Sequence, residues 1–444
     1  MKLPEPPPHL DPKLFEYYKD YLSHPNELED FIQEINEKYL SWDEFRRHAP
    51  LPAGKTPNAL WGIIKMIRHF TRTRLDIFRD AKLKISYNIR ASNLLQKKLH
   101  ELDMKCGGPL VTKSIVPEED RKSYLLSSLM EEAIASSQLE GAATSRSVAK
   151  EMLKTNRKPR NPDEKMIWNN YLTMKYIVES KEKQLTPKFI QDLHARITEE
   201  TLDKMEWEGR FRENDDVRVY DKETGEIFHT PPSHEKIPGL IQNYCEFANK
   251  TDHKAYIHPI IKASILHFLM GYLHPFEDGN GRTARSIFYW YLLSQGYWLI
   301  QFMAVSRFIK DSPAKYSRAY LYAEQDANDV TYFIKFQIES IEKAHDALMS
   351  YIRKKTEEKK ELYSLIQIPG INERQALILL DFANDPKTVM DIHQMKERFS
   401  VVYQTARVDL LQLAKKGLLK QKTSGKKLLF FRSQNFDDVL KASR

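Results

Sequence analysis

The twelve residues from His274 to Arg285 read His-Pro-Phe-Glu-Asp-Gly-Asn-Gly-Arg-Thr-Ala-Arg, and they bring four kinds of reactive group together. His274 carries an imidazole whose ordinary pKa of ~6.5 lets it take a proton near neutrality. Asp278 is a hard oxygen ligand of the type that holds Mg²⁺ against substrate phosphates. Arg282 and Arg285 supply guanidiniums, and Gly279 and Gly281 flank Asn280 in a loop whose backbone can take positive φ and approach a ligand closely. This equipment suits chemistry on a phosphate.

The elements that must position these groups are legible on either side. Ile260, Ile261, Ser264, Ile265, Phe268 and Leu269 recur with helical spacing before the run, and Ile287, Phe288, Tyr291 and Leu292 do so after it. The reactive residues therefore occupy a loop between two helices, and the unpaired amides opening the second helix add to an anion cradle. Arg282 and Arg285 fall in the first turn of that helix, where positive charge opposes the macrodipole. A bound phosphate would remove that cost.

With every fixed letter present, the run resembles the HPFx[D/E]GNGRxxR signature of the Fic domain family. The resemblance implies a mainly α chain with a Fic helical core and a β-hairpin flap. It also implies a protein adenylyltransferase that moves AMP from ATP onto a Ser, Thr or Tyr hydroxyl of a target protein or of itself. By that similarity His274 would deprotonate the hydroxyl, and Asp278 would hold Mg²⁺ between the α- and β-phosphates. Asn280 with the amides around Gly279 and Gly281 would cradle phosphate oxygens, and Arg282 and Arg285 would hold the β- and γ-phosphates. Pro275 and Phe276 would anchor the loop, and Glu277, at the variable position, would face solvent.

An earlier segment offers a means of control. Leu125, Leu126, Leu129, Met130, Ala133, Ile134 and Ser137 form an amphipathic pattern, and Gly141 supplies a left-handed stop, so a helix should end at Leu139 or Glu140. A carboxylate in that last turn faces the negative end of the dipole and calls for a cation. Ser136 lies four residues earlier on the same face. The segment from Ser136 to Gly141 resembles the Fic inhibitory motif [S/T]xxxE[G/N], which implies that Glu140 pairs with Arg285 and takes the place needed by the ATP γ-phosphate. Some Fic relatives use this glutamate to position water for removing AMP, so reverse transfer is a second reading.

Between the two motifs, Val217, Val219 and Tyr220 alternate with polar residues, Asp221 to Gly225 has turn chemistry, and Ile227 with Phe228 begins a return strand. A β-hairpin here resembles the Fic flap, which assigns Val219, His229 and Thr230 to target docking by strand addition. His258 and His267 fit no zinc spacing with His274 and read as structural.

The whole chain has 444 residues, 41% of them apolar and 29% charged, as in proteins that bury cores in water. The N-terminus lacks an apolar signal-type stretch, and the run from Ile260 to Leu273 is broken by Lys262 and His267, so no membrane span is expected. Cys106 and Cys245 form no paired motif, which suits a reducing, cytoplasmic setting. Residues 1–110 show helical periodicity around Trp61, Ile64, Met66, Ile67 and Phe70 and resemble a region that precedes Fic domains. The Fic core is expected over 111–350, with a helix from Pro187 to Leu202 capped by Thr186, and a charge-mixed connector over 351–371.

Residues 372–444 contain 14 Lys or Arg against 8 Asp or Glu, a net of +6 within a chain total of +8. Three helical patterns (Ala376 to Phe382, Val389 to Phe399, Val401 to Leu413) precede two short apolar runs joined by Thr423-Ser424-Gly425, which resembles a winged helix-turn-helix domain. In that arrangement Tyr403, Gln404, Thr405 and Arg407 would open a DNA-recognition helix, and Lys422, Lys426 and Lys427 would meet phosphates from the wing. The second class of function is therefore a DNA-binding regulator with a nucleotide-sensing pocket, and a homodimer is one assembly open to it. Catalysis is favoured over sensing because a sensor needs neither a base nor a placed leaving group.

Overall fold

A computed structural model of the chain describes residues 3–8, 14–23, 28–48, 50–78, 83–107, 116, 118–221, 224–250, 256–425 and 427–443. Lys426, assigned above to the wing, lies outside the described residues, as do Lys222 and Glu223 of the hairpin turn. The fold is mainly α, as expected. It divides into two compact units, Met1–Asp346 and Ala347–Arg444.

The first unit opens with α1 (Leu14–Ser23), α2 (Glu29–Lys38), α3 (Trp42–Phe45) and α4 (Pro57–Thr71). Thr56 caps α4 through the amide of Ala59, with Pro57 at its first position, and Leu60, Trp61, Ile63 and Ile64 bury against Ile32, Ile35 and Phe45. A short antiparallel pair, β1 (Thr73–Leu75) and β2 (Ile85–Tyr87), and α5 (Asn93–Cys106) follow.

The helices that position the reactive loop come next: α6 (Arg121–Leu139), α7 (Arg146–Thr155), α8 (Pro162–Glu179) and α9 (Pro187–Thr198). Thr186 caps α9, but the helix stops four residues short of Leu202. Asn169 donates to the Glu199 carbonyl and Glu200 takes φ 54°, so the chain turns out of the helix there. The hairpin forms between β3 (Val219–Tyr220) and β4 (Ile227–His229), with Val219 opposite His229 and Gly225 at φ 71° in the turn.

Next come α10 (Ile237–Asn249), α11 (Pro259–Leu273) and α12 (Asn280–Ser294), of which the last two form the helical hairpin around the loop. Of this pair, α11 is apolar nearly all round, and almost every side chain of α12 is buried, Arg282 and Arg285 of its polar opening turns included. A helix buried on all faces belongs at the centre of its layer. There α12 touches α6, α8 and α9 as well as α11. The unit is completed by α13 (Val305–Lys310), α14 (Pro313–Gln325) and the start of α15 (Thr331–Ile366). The charge-mixed residues 354–361 are helical, part of α15. Cys106 and Cys245 are buried free thiols, each pushed up to about 12 by burial.

The second unit has its own core, including Leu379, Phe382, Met395, Leu410, Leu413 and Phe430. Its order is α16 (Glu373–Asn384), β5 (Val389–Asp391), α17 (Ile392–Phe399), α18 (Tyr403–Lys415), β6 (Leu419–Ser424), β7 (Lys427–Arg432) and α19 (Phe436–Ser443), with strands arranged β5-β7-β6. Val389 to Asp391, expected as the start of a helix, form a strand instead. Their backbone pairs with β7, and Asp391 closes a capping box with Gln394 that starts the helix only at Ile392.

Candidate active site

His274 stands at the C-cap of α11 in the left-handed region, φ 45° and ψ 58°, an uncommon conformation for a non-glycine residue and one found at functional positions. Its Nδ1 lies 3.1 Å from the Gly271 carbonyl, which can only accept, so Nδ1 carries the proton and Nε2 keeps a free lone pair. Burial drives its pKa down to about 4, opposed by the Gly271 bond and by Glu140, and assisted by His229 and Arg212. The imidazole is thus a neutral acceptor throughout the physiological range.

Two buried side chains that the sequence reading did not single out fix the loop. Arg212 donates its backbone amide to the Pro275 carbonyl at 2.8 Å and its Nε to the His274 carbonyl at 3.0 Å, while its other nitrogens reach Asn214, Asp215 and Pro232. His194 of α9 stacks on Phe276 with centroids 3.7 Å apart and planes 5° apart. The Gly209 amide donates to His194 Nδ1, so Nε2 carries the proton and donates to the Asp278 carbonyl at 2.8 Å. His194 is a polar residue within a buried helix face, whereas Arg212 lies in a polar, largely exposed stretch that gives no signal.

Gly279 could not be another residue. It takes φ +76°, and a Cβ there would lie 2.8 Å from Thr198 Cγ2 and 3.2 Å from His194 Nε2. The Asn280 side chain accepts from the Phe276 amide at 3.0 Å and donates to the Phe276 carbonyl at 2.8 Å. What its amide group does here is close the loop. Glu277 is half-buried and accepts from Asn214 at 2.7 Å, so it does not simply face solvent as expected.

Arg285 is buried in α12 and spends its guanidinium on α6. Its Nε donates to Ser136 Oγ at 2.8 Å, and its Nη2 donates to the Ser136 carbonyl at 2.9 Å and to Glu140 Oε1 at 2.7 Å. Glu140 is the C-cap of α6, and a Cβ on Gly281 would sit 2.2 Å from its Oε1. The absence of a side chain at Gly281 therefore admits the carboxylate to the first turn of α12. Burial opposes the charge of Glu140, but Arg285 and then Arg282 hold the group below the usual carboxylate range. Arg282 is equally buried, yet its Nη1 reaches only the Ile197 carbonyl at 3.2 Å, and its Nε and Nη2 have no hydrogen-bond partner. Nη2 is 3.5 Å from Asp278 Oδ2, an ion pair too long to count as a hydrogen bond. Two unsatisfied donors on a buried cation mark a place for an anion.

A cavity of about 200 Å³ is lined by Glu140, Val219, His229, Gly271, His274, Gly281, Arg285, Tyr316, Tyr320 and Glu324. That is below the ~300 Å³ at which small-molecule pockets usually begin. Glu140 stands inside it. Asp278 is not among its walls; the carboxylate is largely exposed, accepting from the Gly279 amide at 2.6 Å. Base and acid thus do not face one cavity while Glu140 is in place, a departure from the expected convergence. Val219 and His229 line the cavity, whereas Thr230 is exposed and does not. His229 is tied down, Nδ1 to Glu324 at 2.6 Å and Nε2 to the Tyr272 carbonyl at 2.7 Å, so its ring anchors the hairpin. His258 caps α11, and His267 is buried between Tyr316 and Gln337.

Residues 184–292, which include the loop and the hairpin, match the model of the Fic/DOC family. Over those residues the chain resembles a Fic domain. The protein adenylyltransferase Fic of Drosophila virilis is 35% identical over 128 residues, 28% of this chain and 24% of that protein. The protein of the same name from Drosophila melanogaster gives the same identity and coverage. The chain thus aligns with about a quarter of the length of these curated relatives. Among solved structures, a Fic family protein from Desulfovibrio desulfuricans G20 aligns at TM-score 0.47 and 16% identity, covering 77% of this chain and 95% of that one. Fic-1 of C. elegans aligns at TM-score 0.47 and 14% identity over 79% and 89%.

The depressed pKa of His274 makes a prediction. Protonation removes the acceptor, so kcat/KM of any reaction that uses Nε2 as a base should hold from pH 8 down to about pH 5 and fall only toward pH 4, well below an ordinary histidine limb. Burial likewise lowers His194 to about 4 and depresses His267, so the unfolded chain binds more protons between pH 4 and 6.5, and stability must decline as pH falls through that window. Circular dichroism at each pH separates unfolding from loss of the base. An acidic limb near 6.5 in folded protein would show that Nε2 titrates normally.

In the second unit Tyr403, Gln404 and Arg407 are exposed along α18, with Thr405 partly covered. Lys422 on β6 is exposed, and Lys427 on β7 lies 3.3 Å from Asp391.

Proposed function

We propose that this chain is an autoinhibited protein adenylyltransferase. The observation that carries the reading is a buried arginine, Arg285, held by Glu140 and Ser136 at the wall of the cavity that also contains His274. A hydroxyl of the target attacks the α-phosphorus of ATP. The new O–P bond forms as the bond to pyrophosphate breaks, and the hydroxyl proton passes to Nε2 of His274. The amides opening α12 and the unpaired donors of Arg282 receive phosphate oxygens, and Arg285 receives the terminal phosphate once Glu140 withdraws. The chemistry is positioning and charge neutralisation.

Asp278 fits Mg²⁺ as a single carboxylate. No group of three or more His, Cys, Asp or Glu that could hold a metal occurs among the described residues, so an ion here would draw its remaining ligands from nucleotide and water, as Mg²⁺ does. Held by Asp278, such an ion would neutralise charge on the nucleotide phosphates. The β3–β4 hairpin is the target-docking element, with Val219 and Thr230 nearest an added strand. A cytoplasmic setting suits the two free thiols, and among the described residues no helix is long and apolar enough to cross a membrane. Incubating the protein with Mg²⁺, α-labelled ATP and lysate, then mapping the added mass, tests donor, group and acceptor together. Label appearing from γ-labelled but not α-labelled ATP would replace adenylyl with phosphoryl transfer.

A second reading concerns the second unit, for which we propose duplex DNA as a ligand. From 403 to 432 the sequence holds eight Lys or Arg and one acid, Asp409. That acid is buried and paired with Arg374; Lys427 and Arg432 of β7 pair with Asp391 and Asp437, while Lys420 and Lys422 of β6 and Arg407 of α18 stand exposed. Replacing Lys420 and Lys422 by Ala in the full chain should weaken DNA binding on all sequences and lessen its salt dependence by about one to two units of log–log slope, as lost phosphate contacts do. Gel-shift titrations at several salt concentrations read this, and absence of any shift by the parent at low salt removes the assignment.

A further inference from the structure

Away from the reactive loop, a cavity of about 610 Å³ lies in the first unit between α4 and the turn that joins α14 to α15. Its size sits in the ordinary range for small-molecule sites, ~300–1,000 Å³. Trp61, Met66 and Phe70 of α4 give it apolar walls, residues 6–8 give a proline wall, and Lys65, Arg68 and Arg72 bring positive charge.

The charges do not balance internally. Lys65 answers Asp326 at 2.6 Å. Asp326 also accepts from Tyr332, and Asp329 accepts from Tyr39 at 2.6 Å and from Thr331. Arg68 bonds neutral partners, the Asn36 side chain, the Leu40 carbonyl and Tyr332, and lies 3.9 Å from the Tyr39 ring centroid. Arg72 forms no ion pair with any described residue. Three cations thus face two carboxylates, a surplus of one. Burial and the neighbouring Arg72 and Arg74 keep His69 toward its neutral form, so it adds little to that surplus.

Two of the lining side chains also keep buried N–H groups without an acceptor, Trp61 Nε1 and Arg72 Nε. Trp61 is 1% exposed, so solvent does not satisfy it. Native interiors rarely leave such donors unpaired without an ion, water or ligand to explain them. The far wall adds strain, because Ala327 and Asn328 both take φ 55°, successive non-glycine residues in the left-handed region. Backbone of that kind persists where surroundings over-determine it, and it gathers at ligand sites.

We propose that this cavity binds a small organic monoanion with an apolar body, the carboxylate, sulfonate or phosphate-ester head meeting Arg72 and the body lying against Trp61, Met66 and Phe70. The site is independent of the nucleotide chemistry. It shares only α14, whose other residues wall the His274 cavity.

The test uses the full chain and 8-anilinonaphthalene-1-sulfonate, an aromatic monoanion that brightens in apolar surroundings. One saturable site per chain is expected. Arg72→Met should weaken it at least tenfold without moving the thermal midpoint, Arg72→Lys should stay within about threefold of the parent, and Met66→Trp, which fills the cavity, should remove it. The uncharged analogue N-phenyl-1-naphthylamine should bind at least tenfold more weakly. Weak non-saturable fluorescence, equal affinity in Arg72→Met, or equal affinity for the neutral analogue would each overturn the assignment. Should Arg72→Met unfold, the neutral analogue and Met66→Trp still decide.

Discussion

Glu140→Gly is expected to raise transfer of AMP from ATP to protein, self-modification included, by roughly 10- to 150-fold, the equivalent of the ~1.5–3 kcal/mol of a buried charged hydrogen bond. The reason is a competition for one guanidinium. Arg285 Nη2 donates to Glu140 at 2.7 Å, and the same carboxylate lies against Gly281 at the mouth of α12. In the proposed reading a terminal phosphate takes both places. Removing the side chain frees Arg285 and enlarges a cavity that is now only about 200 Å³. Glu140→Gln should fall between parent and Gly, since it keeps the bulk against Gly281 while losing the charge. Incorporation of α-labelled AMP into purified protein is the measurement. Equal incorporation by parent and Glu140→Gly would mean that the ion pair restrains nothing, even though its geometry is good.

His274→Ala, made in the Glu140→Gly background so that the rate is measurable, should lose about 10²- to 10⁴-fold in kcat, the usual worth of a positioned base. ATP affinity should change by no more than a few-fold. Nε2 is the free acceptor, its direction fixed by the Nδ1 contact to Gly271, and the other imidazole lining the cavity, that of His229, has both nitrogens engaged. A variant that binds ATP and still labels its target at the parent rate would leave the deprotonation to another group. The pairing with the first prediction is useful, because Glu140→Gly tests access to the site and His274→Ala tests what happens once access is gained.

Some of the architecture was plain from residue spacing. The apolar positions of α11 and α12 fixed a helix-loop-helix around residues 274–285, Gly141 and the amphipathic run before it ended α6 at Leu139, and the turn at 221–225 gave the β3–β4 hairpin. These are local signals, since propensity, periodicity and turn chemistry act over a few residues. Errors came where a distant partner overrode local preference. Val389 to Asp391 have helix-compatible neighbours but became a strand because β7 lies alongside. The helix after Thr186 stopped at Thr198 because Asn169, on another helix, claims the Glu199 carbonyl.

What the amino-acid order determined by itself was the inventory: an imidazole, an acid, two guanidiniums and a glycine-bearing turn on one loop, with a further carboxylate at the end of an earlier helix. Which of these meet was decided by tertiary packing. The approach of α6 to α12 places Glu140 on Arg285, and His194 of α9 and Arg212, remote in sequence, brace the loop. Such contacts depend on how buried helices fill space together, and a linear pattern does not record which face of one helix another will touch.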